Sequence, residues 1–286
     1  MAIEYPLQNK NLPEPIYKRA VVAAGFSPRL TAILNESHRL LKILGTWPII
    51  VNVGEDNPAN KHRLEEAIER SNFRDHPPIF MIRSGPAADV LMDVAKEYHA
   101  DLIVAGALKK EGLFKYYFGS VARNLARNAP CSVMLFTEPQ VKPDELKKIH
   151  CAVEYDNEAH MAVQVATNIA YYSGAQELYL THTFRTSDLD ENQAKEIRKI
   201  YADEDNKLKE FLSQFDFSGI NHHTRSLHDS NRQSTLSFTR DIDADLLVVA
   251  SSRDRLGLWD RLFPHDLELA LQNLPCSLLL TRPSQT

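Results

Sequence analysis

The sequence predicts an α/β protein made of two tandem doubly wound domains, each on a five-stranded parallel sheet. Three observations carry that reading. From Lys18 onward, short β-branched runs alternate with longer amphipathic ones, the pattern of parallel strands joined by helical crossovers. The 286 residues exceed the usual size of one domain, so two separate cores are expected. Finally, "ADLIVAGALKKEGLFKYYFGSVARNLARNAPCSVMLFTEP" from Ala100 matches "ADLLVVASSRDRLGLWDRLFPHDLELALQNLPCSLLLTRP" from Ala244, with one extra residue in the second copy. ADL, GL, PCS and a closing Pro sit at matching separations, the signature of a tandem duplication.

The elements follow in order. "RAVVAAG" reads as a buried strand. "LTAILNESHRLLKILG" reads as a helix with Leu30, Ile33, Leu34, Leu41 and Leu44 on one stripe, closed by Gly45. "WPIIVNV" is the second strand, "ANKHRLEEAIERSNF" a helix, and "PIFMIRSG" the third strand. "PAADVLMDVAKEYHA" is a helix with Pro86 in its first turn. "DLIVAG", "SVARNLARNA" and "CSVMLF" complete the layer as strand, helix and strand. "TEPQVKPDELKK" is polar and carries prolines, as a linker does. The pattern then restarts with "HCAVEYD", "EAHMAVQVATNIAYYSG" and "ELYLTHTF". A charged helix from about Asn192 to Phe215 follows, then "HHTRSLH", a short helix near Ser234 to Ile242, "DLLVVASS" and "CSLLLTR". The expected organisation is a tail over 1–17, a first domain over 18–138, a linker over 139–147 and a second domain over 148–286.

Composition excludes several classes. The net charge of −5 and the absence of any run of Lys and Arg argue against nucleic acid or an anionic membrane as partner. The longest apolar stretches, such as Trp47 to Val53, are too short to span a bilayer. The opening "MAIEYPLQNKNLPEPIY" is acidic and proline-bearing where a secretory signal needs a basic start and an apolar core, so a cytoplasmic protein is expected. Cys131, Cys151 and Cys276 form no CxxC pair and read as reduced, buried thiols. No GxxxxGK[ST], GxSxG or HExxH pattern is present.

The chemistry-bearing stretch is "GALKKEGLFKYYFGS", Gly106 to Ser120, between the fourth strand and the next helix. A glycine there lets backbone amides approach an anion closely, and the free N–H groups at the helix start suit phosphate. Ligands of open α/β sheets bind at this carboxyl edge. At these residues the chain resembles the universal stress protein family, over nearly its whole length after the tail and in two copies. In that family the fourth strand ends in Gly, two residues, Gly, nine residues, then Gly-Ser or Gly-Thr, and the last helix leads into an APC-type strand. Gly106, Gly119, Ser120 and "APCSVMLF" match. The resemblance implies that Gly106, Gly119, Ser120 and Val121 hold phosphate and ribose and that the backbone near Val53 meets adenine, with ATP or AMP and Mg²⁺ as the ligand.

The departures from the family pattern are specific. Lys109 stands at the second glycine, and Gly25 stands where the first strand usually ends in an acidic residue. In the second copy Ala250 replaces the first glycine, Arg253 or Asp254 the second, and Pro264-His265 the Gly-Ser. Asp266 and Glu268 then bring negative charge to the phosphate position. Glu154 does occupy the acidic position of that copy. Structural roles stand beside the functional ones: turn geometry for Gly106 and Gly119, a helix N-cap for Ser120, and a solvated loop for Lys109, Lys110 and Lys115. His222, His223, His228 and Asp229 suggest a metal by residue type, but neighbours on a strand point to opposite faces, so no metal is expected. The same divergence argues against His150 and Cys151 as a nucleophile pair.

The expected function is a universal stress protein of tandem type acting as a non-catalytic regulatory or interaction module toward protein partners. Its final strands, "CSVMLF" and "CSLLLT", are expected to pair as an internal pseudo-dimer, with a further homodimer implied by the resemblance. Nucleotide binding is expected to be weak or lost. The alternatives are an ATP- or AMP-binding sensor using the first copy, with at most very slow hydrolysis, and a small-ligand or lipid carrier whose cleft is covered by the long helix around Ala194 to Phe215.

Overall fold

The computed structural model describes residues 16–75, 78–106, 108–109, 116–117, 119–185, 194–228, 234–251 and 274–283. The chain divides into two compact units, residues 1–145 with 282–286, and residues 146–281. Each is described by itself.

The first unit alternates strand and helix as β1 (Arg19–Ala23), α1 (Leu30–Leu44), β2 (Trp47–Val53), α2 (Pro58–Glu69), β3 (Ile79–Arg83), α3 (Ala87–Glu97) and β4 (Leu102–Gly106). A short antiparallel pair follows, β5 (Leu108–Lys109) with β6 (Tyr116–Tyr117), and then α4 (Ser120–Asn128) and β7 (Ser132–Phe136). Strand pairing gives the order β3-β2-β1-β4-β7, all parallel. The interior strands are apolar and buried along nearly their whole length, because helices cover both faces. Helix α1 buries the expected stripe together with Leu40, and it also buries Asn35, Glu36 and Ser37. Their polar atoms are occupied: Asn35 Nδ2 donates to Val141 O at 2.7 Å, Asn35 Oδ1 accepts from Asn72 N at 2.8 Å, and Glu36 pairs with Arg39 at 2.6 Å.

The second unit repeats the plan with β8 (Lys148–Ala152), α5 (Asn157–Ser173), β9 (Glu177–Phe184), α6 (Ala194–Leu212), β10 (His222–His228), α7 (Ser234–Asp241), β11 (Leu246–Ala250) and β12 (Ser277–Thr281). Its order, β10-β9-β8-β11-β12, is again all parallel. Two element boundaries differ from the sequence reading. Pro86 is the N-cap of α3 with extended backbone (φ −64°, ψ 124°) rather than a first-turn residue. The helix read through Phe73 stops at Glu69 and is followed by a 3-10 turn over Asn72–Asp75, where Ser71 Oγ donates back to Ile68 O at 2.7 Å.

The duplication is written into details that the sequence match alone does not reveal. α1 and α5 both end on a left-handed glycine, Gly45 (φ 64°) and Gly174 (φ 67°), after which Thr46 N bonds Leu41 O at 2.9 Å and Ala175 N bonds Ala170 O at 2.9 Å. Just ahead of each "AD" sits a non-glycine residue at positive φ, His99 (50°) and Asp243 (54°). The aspartate of each "ADL" then has one job. Asp101 Oδ2 accepts from Lys18 N at 2.7 Å and Arg19 N at 3.2 Å, while Asp245 Oδ2 accepts from Lys147 N at 2.7 Å and Lys148 N at 2.9 Å. Each carboxylate therefore fastens the entry of the unit's first strand to the entry of its fourth.

Charge-assisted bonds to backbone donors are worth roughly 1.5–3 kcal/mol. Asp101→Ala is accordingly expected to lower stability by about 1–3 kcal/mol in urea unfolding, with Asp101→Asn, which keeps one acceptor oxygen, losing less. Equal stability of Asp101→Ala and the parent protein would contradict this role.

Candidate functional site

The carboxyl ends of β1, β2 and β4 and the start of α4 gather the residues singled out in the first unit: Val53 at the end of β2, Gly106 at the end of β4, and Ser120 and Val121 in the first turn of α4. Val53 and Val121 are half-buried and Ser120 is exposed. The N-cap is Gly119, in extended backbone (φ −68°, ψ 177°), so Ser120 is the first helical residue and not the cap. Its glycine N-cap supplies no side-chain cap, and its first turn holds no acidic residue. Lys109 lies in the short antiparallel pair, opposite Tyr116, where the sequence reading had only a loop. The stretches of that loop at 107, 110–115 and 118 lie outside the described residues.

Gly106 has a plain packing reason. A Cβ there would stand 2.7 Å from Ile33 Cδ1 and 2.9 Å from Ile33 Cγ1, so any side chain at 106 would force Ile33 to shift. Gly25 is the opposite case: a Cβ there would meet nothing within 4 Å among the described residues. Beside it, the Arg63 guanidinium lies over the Phe26 ring at 4.3 Å.

A residue the sequence reading missed joins β1 to β2 at this edge. Asn52 is buried, and its Nδ2 donates to Ala24 O at 2.6 Å. Its Oδ1 is buried and has no hydrogen-bond partner among the described residues. The second unit has a counterpart. Ala24 N bonds Val51 O at 2.8 Å and Val153 N bonds Thr181 O at 2.7 Å, which makes Asn52 and His182 equivalent positions. His182 Nδ1 bonds Val153 O at 2.8 Å, the same contact with another side chain. By the same register Gly25, Phe26 and Gly54 correspond to Glu154, Tyr155 and Phe184. The only sequence signal was the alignment of "WPIIVNV" with "ELYLTHT", outside the stretch in which the repeat is visible by identity.

The second unit's edge is filled. Tyr155 stacks on His182 with ring centres 4.1 Å apart, and its hydroxyl donates to Glu204 O at 3.4 Å. Burial raises the Tyr155 phenol above its ordinary range, and the charges of Glu204, Glu154 and Asp205 add to this. Ala250 is buried at the end of β11. Arg253, Asp254, Pro264, His265, Asp266 and Glu268 lie outside the described residues.

The histidines and cysteines resolve as structure. His222 stacks on Phe217 at 4.6 Å and His223 on Tyr179 at 4.8 Å, with His223 Nε2 3.3 Å from Glu177 Oε1. His228 lies against Phe184, and Asp229 is outside the described residues. Among the described residues no group of three or more His, Cys, Asp or Glu side chains is arranged to hold a metal ion. His150 is buried between two threonines, with Nδ1 2.8 Å from Thr239 Oγ1 and Nε2 2.7 Å from Thr181 Oγ1. Thr239 gives its own hydrogen to Thr235 O at 2.6 Å, so it accepts from Nδ1–H, and Nε2 accepts from Thr181. That fixes a neutral imidazole, and burial pushes its pKa down to about 3. Cys151 is buried and its thiol is pushed well above its usual range, which removes it as a nucleophile at neutral pH.

With this geometry in hand, residues 51–137 match the sequence profile described as the Universal stress protein family. The first unit thus carries the stretch that matches this family, from β2 to β7. A universal stress protein of Methanocaldococcus jannaschii is 28% identical over 97 residues, 34% of this chain and 55% of that protein, so the chain matches about half the length of this relative. Among solved structures, a putative universal stress protein from Pseudomonas aeruginosa is similar at 16% identity and TM-score 0.69, covering 94% of each chain. A universal stress protein from Archaeoglobus fulgidus is similar at 14% identity and TM-score 0.60, covering 93% of this chain and 97% of that one. At these identities the likeness establishes the fold, a tandem α/β arrangement of universal-stress type over the whole chain. No helix among the described residues is long and apolar enough to cross a membrane.

The packing role of Gly106 predicts coupling to its neighbour. Gly106→Ala is expected to cost about 1–3 kcal/mol by overpacking. The double variant Gly106→Ala, Ile33→Ala should lose measurably less than the sum of the single losses in chemical denaturation. Additive losses would show that the glycine is not held by that contact.

Proposed function

We propose that the protein is a tandem universal stress protein that works as a regulatory or interaction module toward protein partners, with no catalytic step of its own and with nucleotide binding weak or lost. The observation that carries this reading is the pair of glycines at the first unit's edge. Gly106 packs against Ile33, and Gly25, with no described atom within 4 Å of its Cβ position, stands where the family pattern has an acidic residue. Both support a reading in which the nucleotide motif persists as scaffold without its polar contact to ribose or adenine. In the second unit the corresponding edge holds the stacked Tyr155 and His182. Pairing of the two final strands, β7 and β12, as an internal pseudo-dimer belongs to the same proposal, as does action in the cytoplasm during stress adaptation.

A second reading, an ATP- or AMP-binding sensor confined to the first unit, is favoured by one specific feature. Asn52 Oδ1 is a buried acceptor without a donor among the described residues, at the same edge as a helix start whose glycine N-cap brings no side-chain cap. In that reading the first turn of α4 (Gly119, Ser120, Val121) would face phosphate, with Gly106 and Lys109 beside it, and the backbone at Val53 would face the base. The residues fit such a ligand, and Mg²⁺ would supply charge neutralisation on the phosphates when bound.

Calorimetric titration of Mg²⁺-ATP into protein shown by mass spectrometry to be free of ligand separates the two. The interaction-module reading predicts no saturable heat below about 1 mM ATP. A dissociation constant at or below about 10 μM that Gly119→Trp abolishes, with the fold intact by circular dichroism, would establish the sensor instead.

A further inference from the structure

The equivalence of Asn52 and His182 gives the second unit something the first lacks. Both side chains spend one donor on the carbonyl that follows the unit's first strand, Asn52 on Ala24 O at 2.6 Å and His182 on Val153 O at 2.8 Å. Asparagine has no proton to gain. Histidine has one, and the chemistry of its second nitrogen depends on it. A carbonyl only accepts, so Nδ1 of His182 carries a hydrogen in either charge state. Nε2 lies 3.9 Å from Glu204 Oε2, and both groups are largely buried. In the neutral ring this contact carries no ion pair. In the protonated ring a positive imidazolium lies 3.9 Å from the carboxylate, an ion pair between two largely buried groups. The proton therefore adds an attraction that the neutral ring lacks.

We propose that His182 and Glu204 form a proton-operated latch that fastens α6 to the carboxyl end of β9. The surroundings favour a closed, protonated state. The Tyr155 ring lies nearly parallel to the imidazole, 26° between planes, and stacks better on a cation than on a neutral ring. Tyr155 also reaches Glu204 O through its hydroxyl, so the loop after β8, the end of β9 and the middle of α6 meet at one point. The charged groups facing this point are Glu204 and Asp205 on α6 and Glu154 beside Tyr155, all of which act on Tyr155. Lys207 holds the other Glu204 oxygen at 2.7 Å. Asp205 Oδ1 accepts from Ser226 N at 3.0 Å, where Ser226 pairs with His182 across β10 and β9, so α6 also rests on the neighbouring strand by a separate contact.

The sign follows directly. The proton stabilises the fastened state, so fastening is complete at the acid end of the imidazole range and is lost as pH rises from about 5 to about 8. Two other histidines touch α6 and serve as controls. His160 on α5 meets Phe211 and Phe215, and His228 on β10 lies beside Tyr201.

The test is amide hydrogen exchange of the full chain between about pH 5 and pH 8, corrected for intrinsic rates, read on α6 peptides over Tyr201–Leu212 with α5 peptides as reference. The latch predicts that α6 protection in the parent protein rises roughly ten-fold toward the acid end, the size of one modest ion pair. His182→Asn copies the first unit's own solution, keeping a donor for Val153 O while removing the titration, and should flatten the profile. Glu204→Gln should flatten it independently. A flat profile in the parent protein overturns the proposal. So does a slope that survives His182→Asn or disappears only on His228→Asn or His160→Asn.

Discussion

One aspartate in each unit sets the frame on which everything else hangs. Asp101 and Asp245 each take two consecutive backbone N–H groups at the entry of their unit's first strand, holding it against the entry of the fourth. In the order 3-2-1-4-5 those two strands lie side by side at the point where the strand order reverses, the place at which open α/β sheets bind ligands at the opposite, carboxyl ends. The bracing therefore sits at the amino edge, away from any ligand. Because the frame is fixed from behind, the carboxyl edge of each unit is free to change its side chains without losing strand register.

The two units have used that freedom differently. At equivalent places the first has Gly25, Phe26, Asn52 and Gly54, and the second has Glu154, Tyr155, His182 and Phe184. Gly25 and Gly54 bring no side chain to the first edge, where among the described residues the buried Asn52 Oδ1 has no partner. Aromatic and charged residues fill the described part of the second edge and bring α6 down upon it. The two copies thus differ at the edge where open α/β sheets bind ligands.

Much of the frame was legible in the sequence because burial on both faces leaves a strong mark. "WPIIVNV", "ELYLTHTF" and "HHTRSLH" coincide with β2, β9 and β10, and Gly45 and Gly174 end their helices where the apolar stripes end. The short pair β5 and β6 was not legible, since two-residue strands have no period to read. The helix that stops at Glu69 was misread past its end because nothing local announces that Asn72 N will be taken by Asn35 Oδ1, a partner thirty-seven positions away. At the site, Gly106 and Gly119 were found from spacing, yet Ile33 as the reason for Gly106 is a contact between distant segments. Asn52 and His182 were missed for the same reason: their equivalence rests on strand register, and neither residue type announces it.

The central claim is that one frame carries two diverged edges. An amide-resolved NMR titration with AMP tests it most directly. The account predicts that any shifts, however weak the binding, fall on Ala24 to Ser27, Val53, Gly54 and Gly119 to Arg123, and leave Glu154, Tyr155, His182 and Glu204 unmoved. Shifts centred on Tyr155 and His182, with the first unit silent, would contradict it.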